Sequence, residues 1–259
     1  MGLFDFFKKK KITQNEENLI SSNRITHKLY SGIFVFNNKI EELLKQDSFI
    51  ARSDYKDLIT EYKDLYDSIL NFYNNNLISD FSKKYNIKIS EINHFLNLYK
   101  EIQDLKKESP SIKSHNEEYI KRHLSSQKQY LDTILRDCDP NIMLDEEQRR
   151  VILSDEDHTL VIAGAGAGKT TTIAAKVKYL TEKKHIKPSQ ILVISFTNKA
   201  VDELKNRINH NLRISAIIST FHSVGYSILR QSESEQKRVV DGGFMYNVIN
   251  NYLKTNILT

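Results

Sequence analysis

Leu160-Val161-Ile162-Ala163-Gly164-Ala165-Gly166-Ala167-Gly168-Lys169-Thr170 is the stretch from which the fold can be read. Three apolar residues lead into alternating alanine and glycine, Lys-Thr closes the run, and Thr171 to Leu180 continue with helical character. Strand, small-residue turn, lysine, hydroxyl residue and helix, in that order, describe a phosphate-binding loop. Small side chains let the backbone close around a polyphosphate with successive N–H groups pointing inward. The following helix adds the partial positive charge of its N-terminus. On this reading Ala163, Gly164, Ala165, Gly166, Ala167 and Gly168 form the cradle. Lys169 reaches the β- and γ-phosphates, Thr170 places its hydroxyl on Mg²⁺, and Thr171 completes the contacting set. The usual pattern opens on glycine; here the first position is Ala163.

Downstream of the loop the pattern alternates. Leu160 to Ile162 reads as a first strand and Thr170 to Leu180 as the helix behind the loop. Ile191 to Ser195 reads as a second strand, Asn198 to Ile208 as a helix, Ile214 to Thr220 as a third strand, and Ser223 to Arg230 as another helix. Such alternation implies a parallel sheet with crossover helices, an α/β domain. Upstream the signal is helical throughout. Leu58, Tyr62, Leu65, Ile69 and Phe72 repeat at four and three residues, as do Ile92, Phe95, Tyr99, Ile102 and Leu105. Ser90 stands where an N-cap of that second helix belongs. A third helix is expected over Glu117 to Arg136, with Ile120, Leu124, Leu131 and Leu135 near one face. These stripes read as the core of a small bundle. Asp139-Pro140 marks the expected boundary, because proline cannot continue a helix interior. The division is thus an all-α domain over 1–140 and an α/β domain over 141–259.

With 259 residues, 39% hydrophobic and 27% charged, the chain has the composition of an ordinary globular protein long enough for two cores. Residues 1–140 carry 22 basic and 21 acidic side chains, residues 141–259 carry 16 and 12. The positive excess therefore sits in the half with the phosphate loop, as weak support for a polyanionic partner. One cysteine, Cys138, allows no internal disulfide and fits a reducing, cytoplasmic setting. No apolar run is long enough to span a bilayer, so no membrane partner is expected. Met1 to Phe7 followed by Lys8 to Lys11 does not read as a secretory leader, since the lysines follow the apolar part.

Three further stretches give the loop a task. In Leu144-Asp145-Glu146-Glu147-Gln148 the amide of Gln148 carries both the donor and the acceptor that an adenine edge requires. Phe196-Thr197-Asn198-Lys199-Ala200 follows the second strand, where ligands of open α/β sheets bind. There Phe196 offers a stacking face, and Thr197, Asn198 and Lys199 offer donors to phosphates at a helix start. Thr220-Phe221-His222-Ser223 follows the third strand and puts a second aromatic, an imidazole and hydroxyls at the same edge.

In order and spacing these four stretches resemble the Q motif, Walker A motif, motif Ia and the motif after it in superfamily 1 DNA helicases of the UvrD/Rep type. With its long helical extension the chain is most similar to bacterial DNA helicase IV. The resemblance covers about residues 142–230 and makes Ala163 the expected first residue. It implies a RecA-like P-loop NTPase domain using ATP and Mg²⁺. Gln148 then reads adenine, Lys169 neutralises charge on the transferred phosphate, and Thr170 ligates Mg²⁺. Phe196, Thr197, Asn198, Lys199 and His222 contact single-stranded DNA, along which the family moves 3′ to 5′.

The family also needs an acidic pair after a further strand. Asp145-Glu146 and Asp155-Glu156 precede the first strand, and Asp202-Glu203 lies inside a helix. The expectation is the N-terminal portion of a helicase, not competent for hydrolysis alone. The alternatives are a nucleotide-binding DNA-interaction module without hydrolysis, and another P-loop enzyme such as a small-molecule kinase. The two edge stretches, Phe196–Ala200 and Thr220–Ser223, argue against the kinase. Residues 1–140 can bind DNA, dock a protein partner or buttress the motor.

Overall fold

A computed structural model describes residues 14–232 and 242–256. The aromatic and lysine-rich tip at 1–11 lies outside them. The described residues form two compact units, one of residues up to 132 with 144–167, the other of 133–143 with residues from 168 onward. This differs from a division at Asp139-Pro140. The segment 144–157 is tied to the helical half by its own side chains. Arg149 pairs with Asp132 at 2.7 Å, Arg150 pairs with Glu117, and Arg52 pairs with Glu156 at 2.8 Å. Ser53 donates to Asp157 through both its N–H and its hydroxyl, each at 2.7 Å. Ile152 and Leu153 are completely buried.

The first unit is helical: α1 (Gln14–Lys45), α2 (Ser53–Glu61), α3 (Lys63–Asn74), α4 (Ile78–Tyr85), α5 (Ile89–Ile102), α6 (Pro110–Ser126), α7 (Lys128–Thr133) and α8 (Glu146–Leu153). The expected stripes are its core. Leu58, Tyr62, Ile69, Ile92, Phe95, Tyr99 and Ile102 are all buried. The Phe36 ring meets Phe95 edge-on at 5.0 Å, and Tyr66 stacks on Tyr99 at 4.3 Å. Two boundaries differ from expectation. The stripe from Leu58 to Phe72 is two helices, broken at Tyr62 (φ −104°, ψ 7°). The helix α5 begins at Ile89, so Ser90 lies inside it and makes no cap. The region 117–136 is likewise divided between α6 and α7. α6 starts where chemistry favours it, with Pro110 at its first position and the Ser109 hydroxyl accepting the Ile112 N–H. One buried amide substitutes for a strand neighbour: Asn116 accepts the Ile50 N–H at 2.8 Å and donates to the Ile50 carbonyl at 3.0 Å.

The second unit holds α9 (Lys169–Glu182), β1 (Leu192–Ser195), α10 (Asn198–Lys205), a π-helical turn (Asn206–Asn211), β2 (Ile217–Thr220), α11 (Phe221–Ser232) and α12 (Gly242–Asn256). β1 and β2 pair in parallel, with Leu192 opposite Ile217 and Ser195 opposite Thr220. α10 packs against both strands. Val193 and Ile218 are buried, as are Val201, Leu204 and Ile208, whereas Leu192, Ile194 and Ile217 are exposed. The sheet is therefore covered on one face.

The strand expected at Leu160 to Ile162 is not formed. These residues have no strand partner among those described, and Leu160 and Ile162 are 87% and 91% exposed. A strand is a pairing, and an apolar run supplies only one side of it. The fold class shown is thus helix-rich with a two-stranded parallel sheet. Among the described residues no helix is long and apolar enough to cross a membrane.

Candidate nucleotide and nucleic-acid site

α8 starts with a capping box. Asp145 accepts the Gln148 N–H at 2.8 Å, and Gln148 Oε1 accepts the Asp145 N–H at 3.1 Å. The reciprocal bonds satisfy two donors that a helix start leaves open. Gln148 Nε2 then donates to the Ala167 carbonyl at 3.2 Å. The amide expected to face adenine therefore braces the last alanine of the loop as well.

The loop itself bends where glycine permits it. Gly166 has φ +76°, and Gly168 has φ +75° as the N-cap of α9. An L side chain is strained at either position. No heavy atom lies within 4 Å of where a Cβ on Gly164 or Gly166 would sit, so the space over the turn is open. At the start of α9, Thr172 donates to the Gly168 carbonyl from its N–H at 2.8 Å and from its hydroxyl at 3.1 Å. Lys169 is exposed and Thr170 half-buried. Left-handed glycines, an open turn and an exposed lysine at a helix start suit an anionic phosphate. Among the described residues no three His, Cys, Asp or Glu are grouped as metal ligands.

Beside this turn stands a residue the sequence did not single out. Arg207 Nη1 donates to Thr171 Oγ1 at 2.9 Å, and Arg207 Nη2 lies 3.4 Å from Glu203. The Cys138 thiol donates to the Arg207 carbonyl at 3.6 Å, and burial pushes its pKa up. Lys178 pairs with Asp137 at 2.9 Å and holds that carboxyl below its ordinary range.

The second cluster lies at the carboxyl ends of the strands. Because Ser195 is opposite Thr220, the two strand-to-helix junctions are side by side. Each is built around a threonine. Thr197 Oγ1 accepts the Ala200 N–H at 3.2 Å and caps α10; Thr220 Oγ1 accepts the Ser223 N–H at 3.2 Å and starts α11. Each presents an adjacent phenylalanine, Phe196 at 83% and Phe221 at 69% exposed. Asn198, Lys199 and His222 are exposed at the same edge. The His222 ring sits edge-on to Phe221, 6.4 Å away. Phe221 joins the candidate set on this exposure. A residue of each acidic pair that the sequence set aside has a structural partner: Asp145 caps α8, Glu156 binds Arg52, and Glu203 binds Arg207.

Residues 144–255 match the UvrD/REP helicase N-terminal domain. The chain is 45% identical over 91 residues to a probable DNA helicase II homolog of Mycoplasma capricolum, covering 34% of this chain and 13% of that protein. It is 43% identical over 90 residues to the ATP-dependent DNA helicase srs2 of Schizosaccharomyces pombe, covering 33% and 10%. It is 41% identical over 91 residues to the ATP-dependent DNA helicase PcrA of Bacillus subtilis, covering 34% and 12%. The matched segment thus spans about an eighth or less of the length of these relatives. The resemblance read from the four motifs holds over this stretch, which is similar to the N-terminal region of ATP-dependent DNA helicases.

Proposed function

We propose that this chain binds ATP with Mg²⁺ through Ala163 to Thr171 and engages single-stranded DNA along the carboxyl edge of β1 and β2. It would act as the N-terminal part of an ATP-dependent 3′-to-5′ helicase or translocase with a P-loop, RecA-like fold and a cytoplasmic location. The observation that carries this is the parallel register. It puts two exposed phenylalanines and two threonine-capped helix starts side by side at one sheet edge. Aromatic faces stack on bases whatever their sequence, and helix N-termini take backbone phosphates.

Lys169 would supply the cation for the β- and γ-phosphates, and the left-handed Gly166 and Gly168 let the backbone bend around them. Mg²⁺, when bound, neutralises charge on the phosphates; Thr170 is the side chain that would hold it. Gln148 links base recognition to the loop through Ala167. The finer likeness to bacterial DNA helicase IV rests on the helical extension. A protein partner docking on that extension belongs to the same reading.

The test is fluorescence anisotropy of a labelled oligo-dT with the full chain, with and without a non-hydrolysable ATP analogue. Binding that weakens steeply with salt is expected, since contacted phosphates release counterions. Failure to bind either ligand would sink the reading. A second reading, nucleotide-gated DNA binding without hydrolysis by these residues, is favoured by the structural contacts of Asp145, Glu156 and Glu203. It gives the same binding result and no DNA-stimulated phosphate release.

A further inference from the structure

We infer that Arg207 is a positioning residue that couples the DNA edge to the nucleotide helix, an inference that rests on the proposed nucleotide and DNA sites. It sits in the π-helical turn Asn206–Asn211, which continues α10 directly. A π turn widens the helix by one residue and is frequent at functional positions. Here the turn makes contacts in three directions. The Arg207 guanidinium reaches out to Thr171 in the first turn of α9. Asn209 Nδ2 donates to the Ala216 carbonyl at 3.3 Å, the residue before β2. The Ile208 side chain is completely buried, and its carbonyl accepts the Ile214 N–H at 3.0 Å. One short segment therefore touches the helix that opens with Lys169 and Thr170, the helix that follows Phe196, and the residue that leads into the strand before Phe221 and His222.

Charge adds a second argument. A helix N-terminus already carries partial positive charge, so a guanidinium beside its first turn is disfavoured until an anion arrives. Glu203, 3.4 Å from Nη2, offsets part of that cost. The planar fork spans Glu203 and Thr171 at once, which a lysine ammonium cannot do in the same way. Arg207 thus takes more from a bound triphosphate than from the empty fold. A shift of α10 on binding DNA is passed to Thr171 through it.

Coupling of this kind is reciprocal and measurable as a ratio of affinities. The affinity of the full chain for a fluorescent, non-hydrolysable ATP analogue with Mg²⁺ is measured with and without saturating oligo-dT. In the unaltered chain the DNA is expected to change that affinity by roughly 5-fold or more, the lower end of ordinary coupling. In Arg207→Ala and in Thr171→Val the ratio should fall towards unity, with the double variant no worse than either single. Arg207→Lys should keep more nucleotide affinity than Arg207→Ala but not recover the ratio. Thr171→Val preserves shape, so a normal melting curve for it separates coupling from misfolding. If either single variant keeps the original ratio, or the unaltered chain shows none while binding both ligands, the inference is overturned. If the unaltered chain binds neither ligand, it is the proposed function that fails, and the inference with it.

Discussion

The helical unit buries a cluster of aromatic rings against one another, while the unit with β1 and β2 displays two phenylalanines at its strand ends; Tyr30, Phe34 and Tyr73 of the first are exposed and Tyr179 of the second is buried, so the contrast is between these two clusters. Phe36, Phe95 and Tyr99 are almost wholly buried, and Tyr99 also donates its hydroxyl to the Ile59 carbonyl at 2.7 Å. Phe196 and Phe221 are exposed, as are Leu192, Ile194 and Ile217 on the open face of the sheet. Rings of the same type thus have two occupations. Phe36, Phe95 and Tyr99 hold the fold of the first unit; Phe196 and Phe221 stand beside capped helix starts, where the proposed function places a stacking base and its phosphate.

The contrast can be broken most strongly at Phe95. Phe95→Ala removes a fully buried ring that contacts Phe36, Tyr66 and Tyr99. It should cost ~3–5 kcal/mol of stability, read from a denaturant midpoint. At temperatures where the variant is folded, its oligo-dT affinity should be that of the unaltered chain. A large loss of affinity with little loss of stability would erase the distinction between the units. Lys169→Ala tests the opposite case. The side chain is exposed, so the melting curve should hardly move. Nucleotide affinity should fall by roughly 1.5–3 kcal/mol, the worth of a charged hydrogen bond.

The two regions were not equally legible. Buried stripes announce themselves by period, which is why Leu58, Ile69, Ile92 and Phe95 could be assigned to a core from spacing alone. Period is blind to a break that keeps phase, so the junction at Tyr62 passed as one helix. It is also blind to partners. Leu160 to Ile162 have the composition of a strand, yet pairing is non-local and nothing in three residues specifies it. The motif residues were legible because chemistry fixes their types and spacing. Arg207 was not, because an arginine beside a glutamate four residues back reads as an ordinary solvated helix face. Only the 2.9 Å contact with Thr171 distinguishes it. Phe221 falls between these cases: the sequence shows its type, and the structure shows its exposure.

The edge itself gives a subtler test. Phe196→Ala and Phe221→Ala should each weaken oligo-dT binding by about 1–3 kcal/mol if each ring stacks on a base. Both side chains are exposed, so stability should be nearly unchanged. An equal loss from both, adding in the double variant, matches two independent platforms. A loss from Phe196 alone would leave β2's edge to Thr220 and His222. A melting point that drops instead would mean the rings serve the fold, as they do in the helical unit.

The smallest expected effect lies at the other end of the comparison, in Tyr99. Burial raises its pKa above the ordinary 10.0, and the nearby Asp67, Tyr66 and Asp64 act in the same direction. A folded pKa raised above the unfolded one means stability that is complete below pH 10.0 and is lost as pH rises through the folded value. Tyr55 and Tyr62 are raised by burial as well, so the alkaline loss is shared within one unit. Tyr99→Phe removes one titrating group and one hydrogen bond, at a cost of roughly 1 kcal/mol near neutral pH. The gap between variant and unaltered chain should therefore narrow as pH rises from neutral towards about 11. A gap that stays constant would mean the Tyr99 hydroxyl ionises as readily folded as unfolded. The core would then be open to water where it is described as closed, and the contrast with the exposed rings of the sheet edge would lose its basis.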